Sequence, residues 1–434
     1  MNKLQCTILA TFVFLATNAV AQQPAKPKQP SSPPRNETPT LRKVLSVPTG
    51  SKHDFKHAVV SVSNEQNSLF SRNYIVTGGE NVRPSGLHLW TLDAKHPKRT
   101  KVGDGTVFGF IPNSTLAYYV SWGRGVVFWD TRTHTRVGDA IPHELREDTK
   151  VSPAVSPDGK YMATRSKLDH LQFWDLRTRK PISTEIKQEG IVADLEFSAG
   201  GKWLFSKTYK HLKVWDPKTG KLAGGPFRHD TNPAYAPTSQ QLATFENYEG
   251  APAVWHSEVL IRSGKEWSVV KRFEIAGYAS RAHWIDGTHL LVAAYGKKPP
   301  YGGMCVHVVR LEGDKPEVQT VLRDNWIPIA AVAPDGKHLL TSTREASCCW
   351  KLGEKKPVLS VPWPRYSVPW PRFRRVFFGD KDWVLLTGGG TAVVYTLADG
   401  KECWRKENVE TARVQGSTIW LFSETSVELW RMGD

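Results

Sequence analysis

Short apolar segments with alternating polar positions recur along the chain from about residue 41. In HLKVW (211–215), this alternation places Leu212 and Val214 on one face of a strand. Residues 191–227 divide into four such segments, which are separated by turn sequences rich in Gly, Pro and Asp. No segment shows a sustained helical period. The pattern therefore predicts an all-β chain built from units of four short strands.

The third segment of most units ends in a tryptophan. The first three intervals between these markers are 39, 45 and 41 residues, a period that predicts a β-propeller. Two units between Trp215 and Trp350 lack the marker, and apolar segments at the expected spacing supply their third strands, while Tyr395 takes the place of the Trp in a later unit. Nine third strands are predicted in all. Two are the segments 253–261 and 305–311, and the other seven contain Trp90, Trp129, Trp174, Trp215, Trp350, Tyr395 and Trp430.

Two sets of short motifs accompany the period. FWD (128–130), FWD (173–175) and VWD (214–216) end third segments. SPDGK, SAGGK and APDGK stand between first and second segments, at 156–160, 198–202 and 333–337. With these motifs the chain resembles the WD-repeat β-propeller family over about residues 41–434, as a degenerate, exported bacterial type. The resemblance implies a single propeller of four-stranded blades.

The resemblance also implies a hydrogen-bond network around the Trp, built with an Asp, a His and a Ser or Thr. Gly123, Leu168 and Tyr209 occupy the position of the Asp, and only His143 and His229 match the His between blades. We therefore expect this network to be incomplete.

The number of blades is eight or nine. Counting third strands gives nine, whereas eight results if residues 229–276 are an insertion. LRKVLSV (41–47) precedes the first unit, and the last unit ends at Trp430 without an outer strand. We expect the N-terminal strand to pair with the last blade, because this pairing closes the ring and removes exposed strand edges.

The first 21 residues have the features of a signal peptide: Lys3, an apolar run over 8–16, and the small residues Ala19 and Ala21. We predict cleavage after Ala21 and a periplasmic or extracellular protein. An uncleaved membrane anchor is the alternative, and no transmembrane span follows once the signal is removed. Residues 22–40 form a Pro-rich linker, and 41–434 form the propeller.

Composition narrows the class of protein. With 40% hydrophobic and 23% charged residues, the 434-residue chain is neither a multi-span membrane protein nor wholly disordered. Four cysteines follow the cleavage site. They are too few for a disulfide scaffold, and their spacing does not match a zinc site, so we expect them to be buried thiols on strands. They are Cys305, Cys348, Cys349 and Cys403.

A tandem heptad is the most distinctive local feature: SVPWPRY (360–366) is followed at once by SVPWPRF (367–373). Proline stiffens this segment, and Trp next to Arg suits stacking and contact with anions. The alternative is a duplicated surface loop whose Trp side chains pack on the propeller. The predicted binding residues are Trp363, Arg365, Trp370, Arg372, Arg374 and Arg375, with Lys297 and Lys298 in support.

The net charge of +16 favours an anionic partner. We expect a monomeric scaffold that binds a protein or an anionic glycan or envelope surface through one face. Predicted export and the absence of a recognised motif disfavour nucleic acid. No sequence motif calls for a cofactor, metal or catalytic triad.

Two alternatives to a scaffold remain open. The first is a hydrolase or lyase that acts on glycan or peptide in the central cleft, with Asp194 and Glu196 as its best acid–base pair. The second is a structural role in a lattice or envelope. Glu246 and Glu249 are interpreted as solvated loop charges.

Overall fold

The computed structural model describes residues 41–48, 59–63, 68–76, 82–91, 98–103, 105–121, 123–144, 151–229, 233–236, 240–250, 254–295, 304–324, 329–333, 337–342, 346–351, 354, 356–362, 375–378, 383–388, 390–415, 417–423 and 426–432. These residues form strands, turns and connecting segments. None of them belongs to a helix long and apolar enough to cross a membrane.

Within these described ranges the strands form nine antiparallel sheets, numbered here as blades 1 to 9 in chain order. A first strand, β1 (Leu41–Pro48), precedes blade 1. Blade 1 contains β2 (Val59–Ser63), β3 (Ser68–Val76), β4 (Val82–Thr91) and β5 (Lys98–Gly103). Blade 2 contains β6 (Gly105–Phe110), β7 (Leu116–Ser121), β8 (Gly125–Asp130) and β9 (Thr135–Arg136). Blade 3 contains β10 (Ala154–Val155), β11 (Tyr161–Lys167), β12 (His170–Asp175), and two short outer strands, β13 (Lys180–Pro181) and β14 (Ile186–Lys187).

The next three blades follow the same plan. Blade 4 contains β15 (Asp194–Phe197), β16 (Leu204–Lys207), β17 (His211–Asp216) and β18 (Lys221–Arg228). Blade 5 contains β19 (Ala234–Ala236), β20 (Gln241–Gly250), β21 (Val254–Ser263) and β22 (Ser268–Ala276). Blade 6 contains β23 (Tyr278–Trp284), β24 (His289–Tyr295), β25 (Met304–Arg310) and β26 (Glu317–Asp324).

The last three blades complete the ring. Blade 7 contains β27 (Ile329–Val332), β28 (His338–Ser342), β29 (Ala346–Lys351) and β30 (Pro357–Pro362). Blade 8 contains β31 (Arg375–Phe378), β32 (Trp383–Gly388), β33 (Thr391–Thr396) and β34 (Glu402–Glu407). Blade 9 contains β35 (Thr411–Gln415), β36 (Thr418–Phe422), β37 (Ser426–Met432) and, as its outer strand, β1.

This all-β propeller of four-stranded blades confirms the predicted fold class. The nine predicted third strands correspond to β4, β8, β12, β17, β21, β25, β29, β33 and β37. Residues 234–276 form the complete four-stranded sheet of blade 5 rather than an insertion, so the sheet topology matches the count of nine.

The N-terminal strand closes the ring as expected. β1 pairs antiparallel with β37, from Leu41 opposite Met432 to Pro48 opposite Ser426. The carboxylate of Glu428 on β37 lies 3.8 Å from Lys43 Nζ on β1 and 3.2 Å from Lys406 Nζ on β34. The indole N–H of Trp430 also donates to this carboxylate at 2.9 Å. The closing strand is therefore held by side chains as well as by its ladder.

The hydrophobic core lies between neighbouring blades. Phe173 of blade 3 packs in one buried cluster with Leu204 and Trp215 of blade 4, and Phe245 of blade 5 packs in another with Val292 of blade 6. Because each sheet is covered on both faces, middle strands such as β24 have five consecutive buried residues.

Part of the expected tryptophan network is present. The indole N–H of Trp174 donates to Thr164 at 2.9 Å, that of Trp215 to Ser206 at 2.8 Å, and that of Trp350 to Thr341 at 3.0 Å. The bond from Trp to a hydroxyl thus persists in three blades, and in blades 3 and 4 it does so although Leu168 and Tyr209 occupy the Asp position.

Buried polar side chains tie blades 2, 3 and 4 together. Arg165 on β11 is fully buried, and its guanidinium donates to the carbonyls of Val192 at 3.1 Å and Glu144 at 3.0 Å. Its backbone N–H donates to Nδ1 of His143 at 3.2 Å, and Nε2 of His143 bonds the carbonyl of Val151 at 2.9 Å. Burial lowers the pKa of His143 to about 4.

The four described cysteines are free thiols. Cys349 is buried, as expected of a strand thiol, whereas Cys305, Cys348 and Cys403 are half-buried.

Candidate protein-interaction face

One face of the propeller carries two kinds of connection. Strands alternate in direction within a blade, so the turns between second and third strands lie at the same end as the links between blades. We call this end the linking face. Residues 296–303, between β24 and β25, and residues 363–374, between β30 and β31, lie outside the described residues, so their place on this face stays a prediction.

The predicted binding residues fall largely outside the described ranges. Trp363, Arg365, Trp370, Arg372, Arg374, Lys297 and Lys298 are not among the described residues. Arg375 is the first residue of β31. The structure therefore places the ends of the two segments and not their side chains. The cleavage site at Ala21 also lies outside the described residues.

Aromatic side chains are exposed on the described part of the linking face. Tyr209, in the turn between β16 and β17, is 69% exposed. On the hairpin formed by β20 and β21, Tyr248 is 41% and Trp255 37% exposed. Aromatic residues are enriched in protein interfaces, so their exposure here marks this face as a candidate binding surface.

The β20–β21 hairpin is longer than the corresponding hairpins of its neighbours. Each of its strands has ten residues, compared with four and six in blade 4 and seven and seven in blade 6. The register runs without a shift from Leu242 opposite Arg262 to Gly250 opposite Val254. The described ladder of this hairpin is therefore longer than those of blades 4 and 6.

Polar side chains in the half of this hairpin nearer its turn fix it to the link with blade 6. The hydroxyl of Ser257 lies 2.5 Å from Asn247 Oδ1 and 2.7 Å from the carbonyl of Gly277. The backbone N–H of Ala279 donates to both Ser257 Oγ at 2.7 Å and Asn247 Oδ1 at 3.1 Å. The N–H of Gly277 donates to the carbonyl of Trp255 at 2.7 Å.

Each side of the hairpin carries an aromatic pair. Trp255 packs against Tyr278 with ring centroids 4.9 Å apart and planes tilted by 54°. Tyr248 stacks on His256 at 5.7 Å and 18°. A hydrogen bond to Glu274, then burial and the Glu274 charge, raise the pKa of Tyr248. The rings are thus held in fixed positions while part of their surface faces solvent.

Exposed apolar side chains concentrate in one sector of the ring. Within the described part of the chain, all the large hydrophobic residues that are exposed lie in blades 4, 5 and 6. They are Tyr209, Leu222, Tyr248, Trp255, Val269, Val270 and Val318.

Three titratable side chains occupy nearby positions on the first two strands of blade 4, where the blade borders the central channel at the linking face. Asp194 on β15 is paired across the ladder with Lys207 on β16, and Glu196 is two residues further along β15. Both carboxylates are exposed, whereas Leu195 between them is buried. Desolvation raises the pKa of both carboxyls, that of Glu196 to about 7, with the charge of Asp194 as the second cause. A carboxyl group inside a narrow channel can be reached by water and still be partly desolvated by the surrounding protein.

A second inner strand presents basic groups in the same alternating way. On β23, Arg281 and His283 are exposed and Ala282 between them is buried. Burial, followed by the charge of Arg281, lowers the pKa of His283. The described residues contain no group of three or more His, Cys, Asp or Glu side chains that could hold a metal ion.

The aromatic hairpin is absent from the predictions made from the sequence. Glu246 and Glu249 lie on β20 rather than in a loop, and they flank Asn247 and Tyr248. The available signal was the alternation of ATFENYEG with VWHSEVLI on either side of a short Gly/Pro turn, which is typical of a hairpin. The exposure of Tyr248 and Trp255 follows from the hairpin's length and its neighbours, which the sequence does not reveal.

Comparisons with known proteins support the fold. The chain matches no family model. It is 35% identical over 79 residues to U3 snoRNP-associated protein-like EMB2271 of Arabidopsis thaliana, covering 18% of this chain and 16% of that protein. It is 28% identical over 117 residues to transcription initiation factor TFIID subunit 5 of Caenorhabditis elegans, covering 26% and 18%. The chain thus spans less than a fifth of the length of these relatives.

A solved structure described as a eukaryotic initiation factor is similar over most of the chain. It superposes with a TM-score of 0.55 at 14% identity and covers 80% of this chain and 91% of its own. At this identity the likeness concerns the fold alone. Together, the comparisons and the structure support a β-propeller, the fold that the resemblance implies.

The predicted periplasmic or extracellular localisation is wrong. Both curated relatives are eukaryotic, a transcription factor subunit and a snoRNP-associated protein, which points away from an exported bacterial protein. The prediction relied on the first 21 residues alone, where a short apolar run after a Lys is a weak local signal. The signal peptide itself stays a prediction.

Proposed function

We propose that the chain is a non-enzymatic scaffold that holds protein partners on its linking face. The observation that supports this most strongly is the shared exposure of Tyr209, Tyr248 and Trp255 on that face. Exposed aromatic side chains on a rigid frame bury large areas at little cost in conformational entropy. The names of the two curated relatives, a subunit and an associated protein of larger assemblies, support the same proposal.

The tandem heptad supplies a second group of contacts in this proposal. Its Trp and Arg residues suit an acidic partner surface, since Arg forms bidentate bonds with carboxylates and stacks on rings. An anionic glycan offers similar chemistry without apolar groups for the Trp side chains. The proposed contacts of this group are Trp363, Arg365, Trp370, Arg372, Arg374, Arg375, Lys297 and Lys298.

The test is affinity capture with the purified full chain, followed by mass spectrometry of the bound proteins. The variant replaces 363–373 with a Gly-Ser segment of equal length. A matched control replaces Lys218 and Lys221, which are exposed on the opposite face, with Ala. We expect a defined partner that the wild type and the control retain and the variant loses, with equal thermal midpoints for all three. Identical captures by all three proteins would remove the heptad from the proposal, and a wild type that captures nothing specific would overturn the scaffold.

A catalytic function is the second candidate, and the channel mouth is the observation that favours it. A carboxyl with a pKa of about 7, such as Glu196, is in the range suited to general acid–base catalysis near neutral pH. Screening of fluorogenic glycosides and peptides tests this candidate directly. Turnover that is abolished in Glu196→Gln but unaffected by the change at 363–373 would favour an enzyme over a scaffold.

A further inference from the structure

We infer that the exposed end of the β20–β21 hairpin binds an extended, Lys- or Arg-bearing segment of a protein partner. The inference rests on the proposed scaffold function and names the chemistry of one contact. The surface is formed by Tyr248, Trp255 and Tyr278 together with Glu249 and Glu274.

The local charge of the hairpin is opposite to that of the chain. Between Gln241 and Ile261 the sequence has three glutamates and no Lys or Arg, whereas the whole chain carries +16. On β22, Arg272 pairs with Glu258 at 3.1 Å and Lys271 donates to the carbonyl of Gly313 in blade 6. The nearest cations of the same sheet are therefore engaged within the molecule, and the hairpin end is acidic.

Aromatic rings beside carboxylates form a suitable site for a cationic side chain. Glu249 is the cross-strand partner of Trp255, so the two side chains lie on the same face of the hairpin. Trp255 and Tyr278 meet at an angle of 54° and form a corner, which leaves 37% of Trp255 open to solvent. A guanidinium or ammonium over the Trp ring gains a cation–π interaction as well as the attraction of the carboxylate.

The other face repeats this combination. Tyr248 is stacked on His256 and hydrogen-bonded to Glu274, and 41% of it is exposed. A segment that crosses the hairpin end can therefore place basic side chains against either face. Two such sites favour an extended partner with several basic residues over a single small cation.

The hairpin is already held in the binding conformation. The half nearer its turn is fixed by the bonds of Asn247 and Ser257 to residues 277–279, so little ordering of the hairpin is required on binding. The acidic end disfavours nucleic acid or an anionic membrane as the occupant, because both would be repelled by the glutamates.

Fluorescence anisotropy with a labelled peptide of alternating Arg and Ser tests the inference on the full chain. A peptide of alternating Glu and Ser is the reference probe. We expect the wild-type chain to bind the Arg peptide at the hairpin more tightly than it binds the Glu peptide. We also expect Trp255→Ala and Glu249→Gln each to weaken binding of the Arg peptide about fivefold.

Matched controls come from the same blade. Glu266 and Val270 are exposed in or just after the turn between β21 and β22, on the opposite face. Glu266→Gln and Val270→Ala should bind the Arg peptide as wild type does. Trp255→Phe, which retains a ring, should recover most of the affinity lost in Trp255→Ala, and this recovery separates a binding role from a defect in folding.

Three outcomes would overturn the inference. They are equal binding by wild type and the hairpin variants, tighter binding of the Glu peptide at the hairpin, and self-association by light scattering that Trp255→Ala abolishes. The last would identify a second copy of the chain as the occupant. If the hairpin variants bind normally while the change at 363–373 still abolishes capture, this inference fails and the scaffold stands.

Discussion

Arg165 illustrates how a single residue can join three blades. Its side chain is completely buried on β11 and reaches the carbonyl of Glu144 on one side and that of Val192 on the other. Glu144 precedes blade 3 and Val192 precedes blade 4. The guanidinium therefore fixes the two links that flank its own blade, a task that needs several donors in a rigid plane.

Arg165→Leu should be strongly destabilising. It leaves two buried carbonyls without this donor, and we expect the free energy of unfolding to fall by about 2–4 kcal/mol. Urea unfolding followed by far-UV circular dichroism measures the loss. Arg177→Leu, at an exposed position just after β12, should change it by less than about 0.5 kcal/mol. Equal effects of the two changes would contradict the role assigned to Arg165.

The ionisation of Glu196 makes the stability of the folded chain depend on pH. Desolvation and the charge of Asp194 raise its pKa to about 7, although Lys207 lowers it. In the unfolded chain the pKa of Glu is about 4.3. Ionisation is therefore less favourable in the folded chain, and stability is lost as the pH rises from the unfolded value through the folded one.

This pH dependence can be tested with the variant Glu196→Gln, because the Gln side chain cannot ionise. The thermal midpoint of wild type minus that of the variant should fall between about pH 4.5 and about pH 7 and then level off. The contributions of groups that do not interact with Glu196 cancel in this difference, which therefore reports on Glu196 and the neighbouring Asp194. A difference that is constant from pH 4.5 to pH 8 would show that Glu196 is not desolvated.

Among the elements, the turn between β21 and β22 connects two blades. Trp267 in this turn is buried and packs against Trp203 and Tyr235, with centroids 5.7 Å and 6.1 Å away. Gly224 on β18 leaves room for the indole, since a Cβ there would lie 2.3 Å from Trp267 Cδ1. The contact sets the position of blade 5, and so of its hairpin, against blade 4.

Gly224→Ala should disturb this contact. We expect a loss of about 1–3 kcal/mol in the free energy of unfolding, because the buried ring must move. The control is Gly200→Ala, where an added Cβ meets nothing within 4 Å. Chemical denaturation of both variants provides the comparison, and a neutral result for Gly224→Ala would mean that the ring shifts at no cost.

Strands are predicted well from the sequence where a marker residue repeats. Features that depend on the exposure of a side chain are predicted poorly. Third strands such as β17 follow from alternation and a terminal Trp, and β21 and β25 follow from the period alone. The aromatic hairpin and the desolvated Glu196 could not be predicted, because exposure and desolvation depend on how far neighbouring blades extend. The predicted contacts around Trp363 and Trp370 stay predictions.

At the scale of the whole molecule, the ring depends on one pairing between the two ends of the propeller. Each blade packs against its neighbours, as in other repeat folds, so an open ring would leave two exposed blade faces. β1 prevents this by completing blade 9, and Glu428 links it to Lys406 of blade 8. Closure thus joins local contacts into one cooperative structure.

Removal of the closing strand tests this dependence. A chain that begins at residue 49 loses β1 and exposes the edge of β37, so we expect a lower thermal midpoint, a broader transition and concentration-dependent aggregation. A chain that begins at residue 41 keeps β1 and should unfold as the full chain does. Calorimetry gives the midpoint and width, and light scattering gives the aggregation. If the two shortened chains were equally stable and equally monodisperse, blade 9 would hold without its outer strand, and closure would have to come from packing between blades 9 and 1.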